Sequence, residues 1–294
     1  MPKHMMSLKE RAMHLQLTAQ SFKDYPNTAK WISHLAETIL MTKLTVNEVE
    51  YALKELIEAF KMEYIGSDEN AHYREQCYNE YIKLIWEMVG KGNKVSFDTF
   101  ERLLPALKSS TTALSNISEI YQALVAARDL SGKRRYFGLC FMYLIFVEGL
   151  YDEDIRILHS IKKASEGSNV DYDSIKDKSI GDFKSDLDGV FFEGYNRRLR
   201  NAIAHARFSF DDHTKKMTFS DYDPRSKSEW SETLSLKEFG IKYYGKIENL
   251  CRLHSRYMVL LGVRDLALMQ KPFGETTLMN NEHVKEKYRK KSLS

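Results

Sequence analysis

Three cysteines in 294 residues, Cys77, Cys140 and Cys251, are too few and too far apart for a disulfide framework or a clustered thiolate metal site. The setting expected from them is reducing and cytoplasmic. Five prolines and 14 glycines leave long segments without a breaker, which favours helices over a succession of turns and short strands. No apolar run reaches the roughly 20 residues of a membrane-spanning helix. The most apolar stretch, "YFGLCFMYLIFV" from Tyr136 to Val147, stops at Glu148, so a buried core helix and no membrane contact are expected. The N-terminal "MPKHMMSLKERAMHLQ" has no continuous apolar core ahead of a small-residue cleavage site, and no secretory signal is expected. A formal net charge of +3 is too small to draw the whole chain to a polyanion, so any nucleic-acid affinity has to come from local patches.

Other chemistries lack their residues. The nine histidines are scattered without an H-E-x-x-H pattern, and the acids of "DYDSIKD" lack the glycine of a calcium loop, so no metal is expected. "GKGNK" at 90–94 falls short of a phosphate-gripping glycine loop, and no G-x-S-x-G elbow presents a serine nucleophile. No cofactor is expected.

What is present is helical periodicity. A hydrophobic content of 43% supplies an ample core, and apolar residues recur at three- and four-residue intervals through most of the chain. Capping signatures, a Ser or Thr followed three residues later by an acid, stand at "TVNE" (45–48), "SIGD" (179–182) and "SLKE" (235–238). Helices are expected over 28–42, 46–65, 68–90, 97–107, 113–130, 133–163, 180–206 and 236–268. The fold class expected is all-α, a helical bundle with one short β-hairpin near 207–220, where Phe208 and Phe210, then Met217 and Phe219, alternate with polar residues. The interruption "PALKSSTT" (105–112) divides an N-terminal helical region, 1–110, from a second domain, 111–270, followed by a tail, 271–294.

Three short basic runs stand out: "GKRR" at 132–135, "RRLR" at 197–200 with Arg207 beyond it, and "KEKYRKK" at 285–291. The last has the composition of a solvated tail. The middle one continues into "LRNAIAH" (199–205), which sets Arg200, Asn201 and His205 in an otherwise apolar helical stretch. Asn201 and His205, four apart, share a helix face with Arg197 and Arg198, whereas Arg200 lies roughly 140° from His205.

Arginine, a polar residue, three intervening residues and histidine, on a long helix of an all-helical domain and just ahead of a hairpin, resemble the R-x4-6-H motif of the HEPN superfamily over about 113–268. That resemblance implies a metal-independent endoribonuclease in which two protomers pair their motif helices into one RNA-cleaving groove. The RNA 2′-hydroxyl would attack the adjacent phosphorus, His205 would move the proton, and the permanently charged Arg200 would stabilise the phosphorane. Asn201 would orient His205 or bind a phosphate oxygen, Glu148 on the facing helix would support Arg200 or His205, and Arg197, Arg198 and Arg207 would contact RNA. RNA and a second copy of the chain are then the partners expected, together with an activator or antitoxin, in a cytoplasmic toxin or phage-defence protein. Two plainer readings stand beside these. Cations in the last turn of a helix are stabilised by its dipole without any chemistry, which would make the protein an inactive nucleic-acid- or protein-binding module. Glu148, Asp152 and Arg156, spaced i, i+4, i+8, would form an ordinary surface ladder.

Overall fold

The computed structural model describes residues 22–41, 46–89, 132–168, 174–224 and 226–268, with isolated positions within 13–20 and 113–122. The helix expected at 97–107, most of that at 113–130, the division at 105–112, the cap Thr45 and the tail lie outside the described residues. The chain divides into two compact units, Met1–Ser67 with Ser255–Ser294, and Asp68–His254. Among the described residues no helix is long and apolar enough to cross a membrane.

In the first unit, α1 (Pro26–Met41) and α2 (Val46–Ile65) pack on an aromatic cluster. Phe60 takes Phe22 and Tyr25 edge-on, with ring centroids 6.1 and 5.3 Å away. The Glu63 carboxylate accepts from the N–H groups of Asn27 and Thr28 at 2.7 and 3.0 Å, satisfying donors that the start of α1 leaves without intrahelical partners.

The second unit contains α3 (Ala71–Val89), α4 (Lys133–Phe146), α5 (Asp152–Ser165), α6 (Arg197–Ala204), strands β1 (Phe208–Asp211), β2 (Lys216–Asp223) and β3 (Ser228–Ser235), and α7 (Leu236–Phe239). It also takes the first ten residues of α8 (Gly245–Leu268). The apolar run read as a core helix is α4, and a wider π-helical turn at Val147–Tyr151 joins it directly to α5. That turn has a packing consequence. Tyr136 and Tyr143 are two helical turns apart, but eight residues of regular α-helix would leave Tyr151 roughly 80° off their face. The extra residue of a π turn brings it back. All three tyrosines are buried, and each hydroxyl donates to a backbone carbonyl: Tyr136 to Leu234 at 2.8 Å, Tyr143 to Gly194 at 3.2 Å and Tyr151 to Phe191 at 2.9 Å. One helical face thereby anchors the end of β3 and the loop that carries the basic motif, while satisfying polar atoms that would be costly to bury alone.

Two expectations need correction. The single hairpin is a three-stranded antiparallel sheet in the order β1-β2-β3. β3 escapes a sequence reading because its inward positions, Ser228, Trp230, Glu232 and Leu234, are half polar. Glu232 is accommodated there by the Tyr243 hydroxyl at 2.7 Å and by Lys242 at 2.5 Å, so the strand needs no continuous apolar face. The long helix expected over 180–206 is instead two 3-10 turns, Ile180–Phe183 and Gly189–Phe192, followed by the eight-residue α6. Each piece starts at a polar cap, Ser179, Asp188 or Asn196, and such caps compete with helix continuation by binding the backbone themselves. The capping boxes at Ser179 and Ser235 are both formed.

Gly194 explains how tightly the segment before α6 is held. A Cβ on it would stand 2.8 Å from the Lys246 Cβ and 3.0 Å from the Ile247 backbone nitrogen, atoms that cannot swing aside. Gly194→Ala is expected to lower stability by about 1–3 kcal/mol through overpacking, measured as a drop in the denaturation midpoint with an unchanged m-value. An unaltered midpoint would show that the two segments separate easily.

Candidate functional site

Asn196 starts α6. Its side-chain oxygen accepts from the N–H groups of Arg198 and Leu199 at 2.9 and 3.1 Å, and its own N–H donates to the Tyr143 hydroxyl at 3.2 Å. The helix then buries Leu199, Ala202 and Ile203. Leu199 and Ile203 are each worth about 1.5–3 kcal/mol of burial, enough to hold a two-turn helix that would not persist in isolation.

The opposite side of α6 borders a half-open cleft of about 350 Å³. α6 contributes Arg197, Arg200 and Asn201, the π turn contributes Glu148, and α5 contributes Asp152. Tyr195 and Ser179 add hydroxyls, while Val147 and Ile180 form the apolar part of the wall. The Arg200 Nε donates to the Glu148 carboxylate, and its terminal nitrogen donates to Asn201 Oδ1 at 3.0 Å. The Glu148 hydrogen bond holds the Arg200 proton more firmly than usual, ahead of an opposing effect of burial. Burial pushes the Asp152 carboxyl pKa up, against the pull of Arg156, whose guanidinium stands 2.8 Å from it. The Asp152–Arg156 rung of the surface ladder is thus present, but Glu148 turns to Arg200.

The other cations reach the sheet, Arg197 while also lining the cleft. Arg198 donates to the Ser228 carbonyl at 3.3 Å and to its hydroxyl. Arg197 and Arg207 approach Asp223 and Asp221, each at 3.5 Å. His205 is the C-cap of α6 and is exposed; it stands outside the cleft lining. The fold therefore brings Arg200, Asn201, Glu148 and Arg197 together, sets Arg198 and Arg207 against the sheet, and leaves His205 at the helix end.

That end is sharply defined. The Arg207 N–H donates to the Ala202 carbonyl at 2.7 Å and the Ala206 N–H to the Ile203 carbonyl at 3.1 Å, the paired bonds of a Schellman motif. The same pair of bonds closes α5 at Gly167, where φ is 82°, but after His205 the left-handed position is filled by Ala206, with φ of 53°. A Cβ in that conformation costs about 1 kcal/mol. Ala206→Gly is accordingly expected to raise stability by roughly that amount, read as a higher melting temperature; a lower one would mean that the Ala206 methyl packs usefully.

Tyr195, Ser179 and Asp152 were missed as site residues by sequence reasoning. The signal for Tyr195 was the N-cap asparagine after it in "YNRRLR", which a reading of 180–206 as one helix conceals.

Residues 135–252 match the family model described as HEPN pEK499 p136, and this segment of the chain belongs to the HEPN superfamily. It contains α4 from Arg135 onward, the π turn, α5, α6 and the whole sheet, and every residue that lines the cleft. Comparison with curated proteins and with solved structures gives no match.

Proposed function

We propose that the protein is a metal-independent endoribonuclease of HEPN type, acting as a homodimer. The observation that carries this reading is the position of Arg200 and Asn201 on a cleft wall inside a HEPN segment. In this reaction the RNA supplies its own nucleophile, so no activated protein nucleophile is required. The 2′-hydroxyl attacks the adjacent phosphorus, the P–O5′ bond breaks, and the products are a 2′,3′-cyclic phosphate and a 5′-hydroxyl. Arg200 stabilises charge on the phosphorane oxygens, and His205 takes or returns the proton. Asn201 presents an amide donor to a phosphate oxygen, and Arg197, Arg198 and Arg207 bind flanking phosphates. Because Arg200 faces the cleft while His205 caps α6 in solvent, the two groups converge through a second copy whose motif helix packs beside the first.

The test is cleavage of total cellular RNA in excess EDTA. Discrete cuts with cyclic phosphate ends, absent in Arg200→Ala and His205→Ala, support the reading; survival of DNA, which lacks the 2′-hydroxyl, is required as well. Such an activity endangers the cell that makes it, which suits a cytoplasmic toxin or phage-defence effector restrained by an antitoxin or awaiting an activator. Growth arrest on expression, relieved by Arg200→Ala, tests that role. The second reading, a binding module without turnover, is favoured by one observation: Arg200 is already engaged by Glu148 and Asn201. It predicts RNA affinity that falls when the arginines are removed, with no cleavage to lose.

A further inference from the structure

The run Lys133–Arg134–Arg135 at the start of α4 plays no part in the cleft. Arg134 and Arg135 are exposed and have no acidic partner among the described residues, while Asp211 at the end of β1 is engaged by its own turn. The Lys133 ammonium lies over two rings, 5.6 Å from the centre of Phe137 and 6.0 Å from that of Phe210. Phe137 in turn meets Phe208 with centroids 5.5 Å apart. All three rings are only half-buried.

A single face of α4 leads from this cluster to the cleft. Arg134, Gly138, Phe141, Ile145 and Glu148 recur at alternating four- and three-residue steps, which keeps them on one side of the helix. Phe141 is 55% exposed, an unusual position for so large a ring on a helix whose opposite face is core. Gly138 beside it is open, because a Cβ there would meet nothing within 4 Å. The stripe ends at Glu148, the residue that holds Arg200.

We propose that this stripe is a track for single-stranded RNA, in which Lys133, Arg134 and Arg135 bind phosphates and Phe137, Phe141 and Phe208 take unstacked bases, leading the strand toward Arg200. The combination of uncompensated cations with one exposed and two half-exposed rings is the chemistry of sequence-tolerant single-strand binding, whereas a duplex keeps its base faces stacked and out of reach. From Arg134 to Glu148 the helix rises roughly 21 Å, the reach of about six stacked nucleotides at roughly 3.4 Å each. Charge also argues for RNA over a second copy of the chain, since a two-fold contact through this end of α4 would set six uncompensated cations, three from each copy, against one another.

The track rests on the nuclease reading for its direction along α4, but its test is binding. Affinity is measured by fluorescence anisotropy with a 2′-O-methyl RNA of about ten nucleotides, longer than the track, which cannot be cut. Arg134→Gln with Arg135→Gln is expected to weaken binding at low salt by tenfold or more, and to reduce the slope of log affinity against log salt by about 1.4. Phe141→Ala is expected to weaken it about tenfold with the slope unchanged. Gly138→Glu, which adds a carboxylate to the stripe at a position open to a Cβ, should also weaken it. Melting curves like the parent's establish that each variant is folded. Unchanged affinity and slope in the double variant overturn the track, as does a Phe141→Ala protein that loses self-association while keeping its RNA affinity. A parent protein that binds through these residues yet cuts no RNA refutes the nuclease reading and leaves the track standing.

Discussion

Arg200→Ala is expected to reduce the rate of RNA cleavage by about 10²–10³-fold, the usual consequence of removing one fixed donor from a developing oxyanion. His205→Ala is expected to cost about 10²–10⁴-fold, as for the loss of a general acid or base. The two losses differ in what accompanies them. Arg200 carries a charge and stands in the cleft, so on the proposed reading its removal is expected to weaken RNA binding as well; His205 stands at the helix end, and its removal is expected to leave affinity for an uncleavable RNA near the parent value. Arg200→Lys keeps the charge but not the planar fork that grips both Glu148 and Asn201, so it should recover binding better than turnover. Single-turnover rates together with anisotropy separate these effects. Equal turnover in the His205→Ala protein and the parent would remove His205 from the chemistry.

The protein is also expected to lose stability steeply as the pH falls below about 6.5, with His254 as a main cause. His254 is buried in the second unit at 1% exposure, and burial alone pushes its pKa down to about 3. Its Nδ1 lies 3.0 Å from the Tyr81 hydroxyl and its Nε2 faces Asp154 at 3.5 Å, with Cys251 on the same stretch of helix and also buried. The Tyr81 hydroxyl can donate to Nδ1 of the neutral ring or accept from the imidazolium, so it is burial that disfavours the charged form. The sign follows from the depressed folded-state value. Above about pH 6.5 His254 is neutral in both folded and unfolded chains and contributes no proton linkage. Below it the unfolded chain takes up the proton first, so stability falls by about 1.4 kcal/mol per pH unit until the folded form also titrates near 3. The loss amounts to as much as about 5 kcal/mol, comparable with the whole stability of many domains. His254→Gln retains an acceptor for Tyr81 without a titrating ring, and its urea stability should fall less steeply between pH 6 and pH 4. Parallel slopes for the two proteins would assign the acid sensitivity to other groups.

Several parts of this architecture are legible in the residues themselves. The breaker-poor, periodic sequence announces helices, and α2 begins and ends where that periodicity says. "YFGLCFMYLIFV" is α4 because its residues are apolar on nearly every side and few in number. Ser179 and Ser235 announce their capping boxes because a hydroxyl and an acid three residues apart satisfy local backbone donors without help from elsewhere. The spacing of Arg200, Asn201 and His205 also led to the HEPN superfamily, which residues 135–252 match.

What the sequence by itself determined, then, is whatever local interactions decide: helix periodicity, caps and the short motif. Only the tertiary structure decided the rest, because those choices depend on partners distant in the chain. Asn196, not Ser179, became the start of the motif helix because Tyr143, 53 residues away, binds its backbone and the carbonyl of Gly194. β3 became a strand because Tyr243 and Lys242 satisfy Glu232 from another element. Glu148 left the ladder that its i, i+4 spacing suggests because Arg200, 52 residues away, meets its carboxylate across the cleft. A residue's periodicity is written in its neighbours, but the partner that satisfies a buried or charged group is not, and that partner placed the cleft.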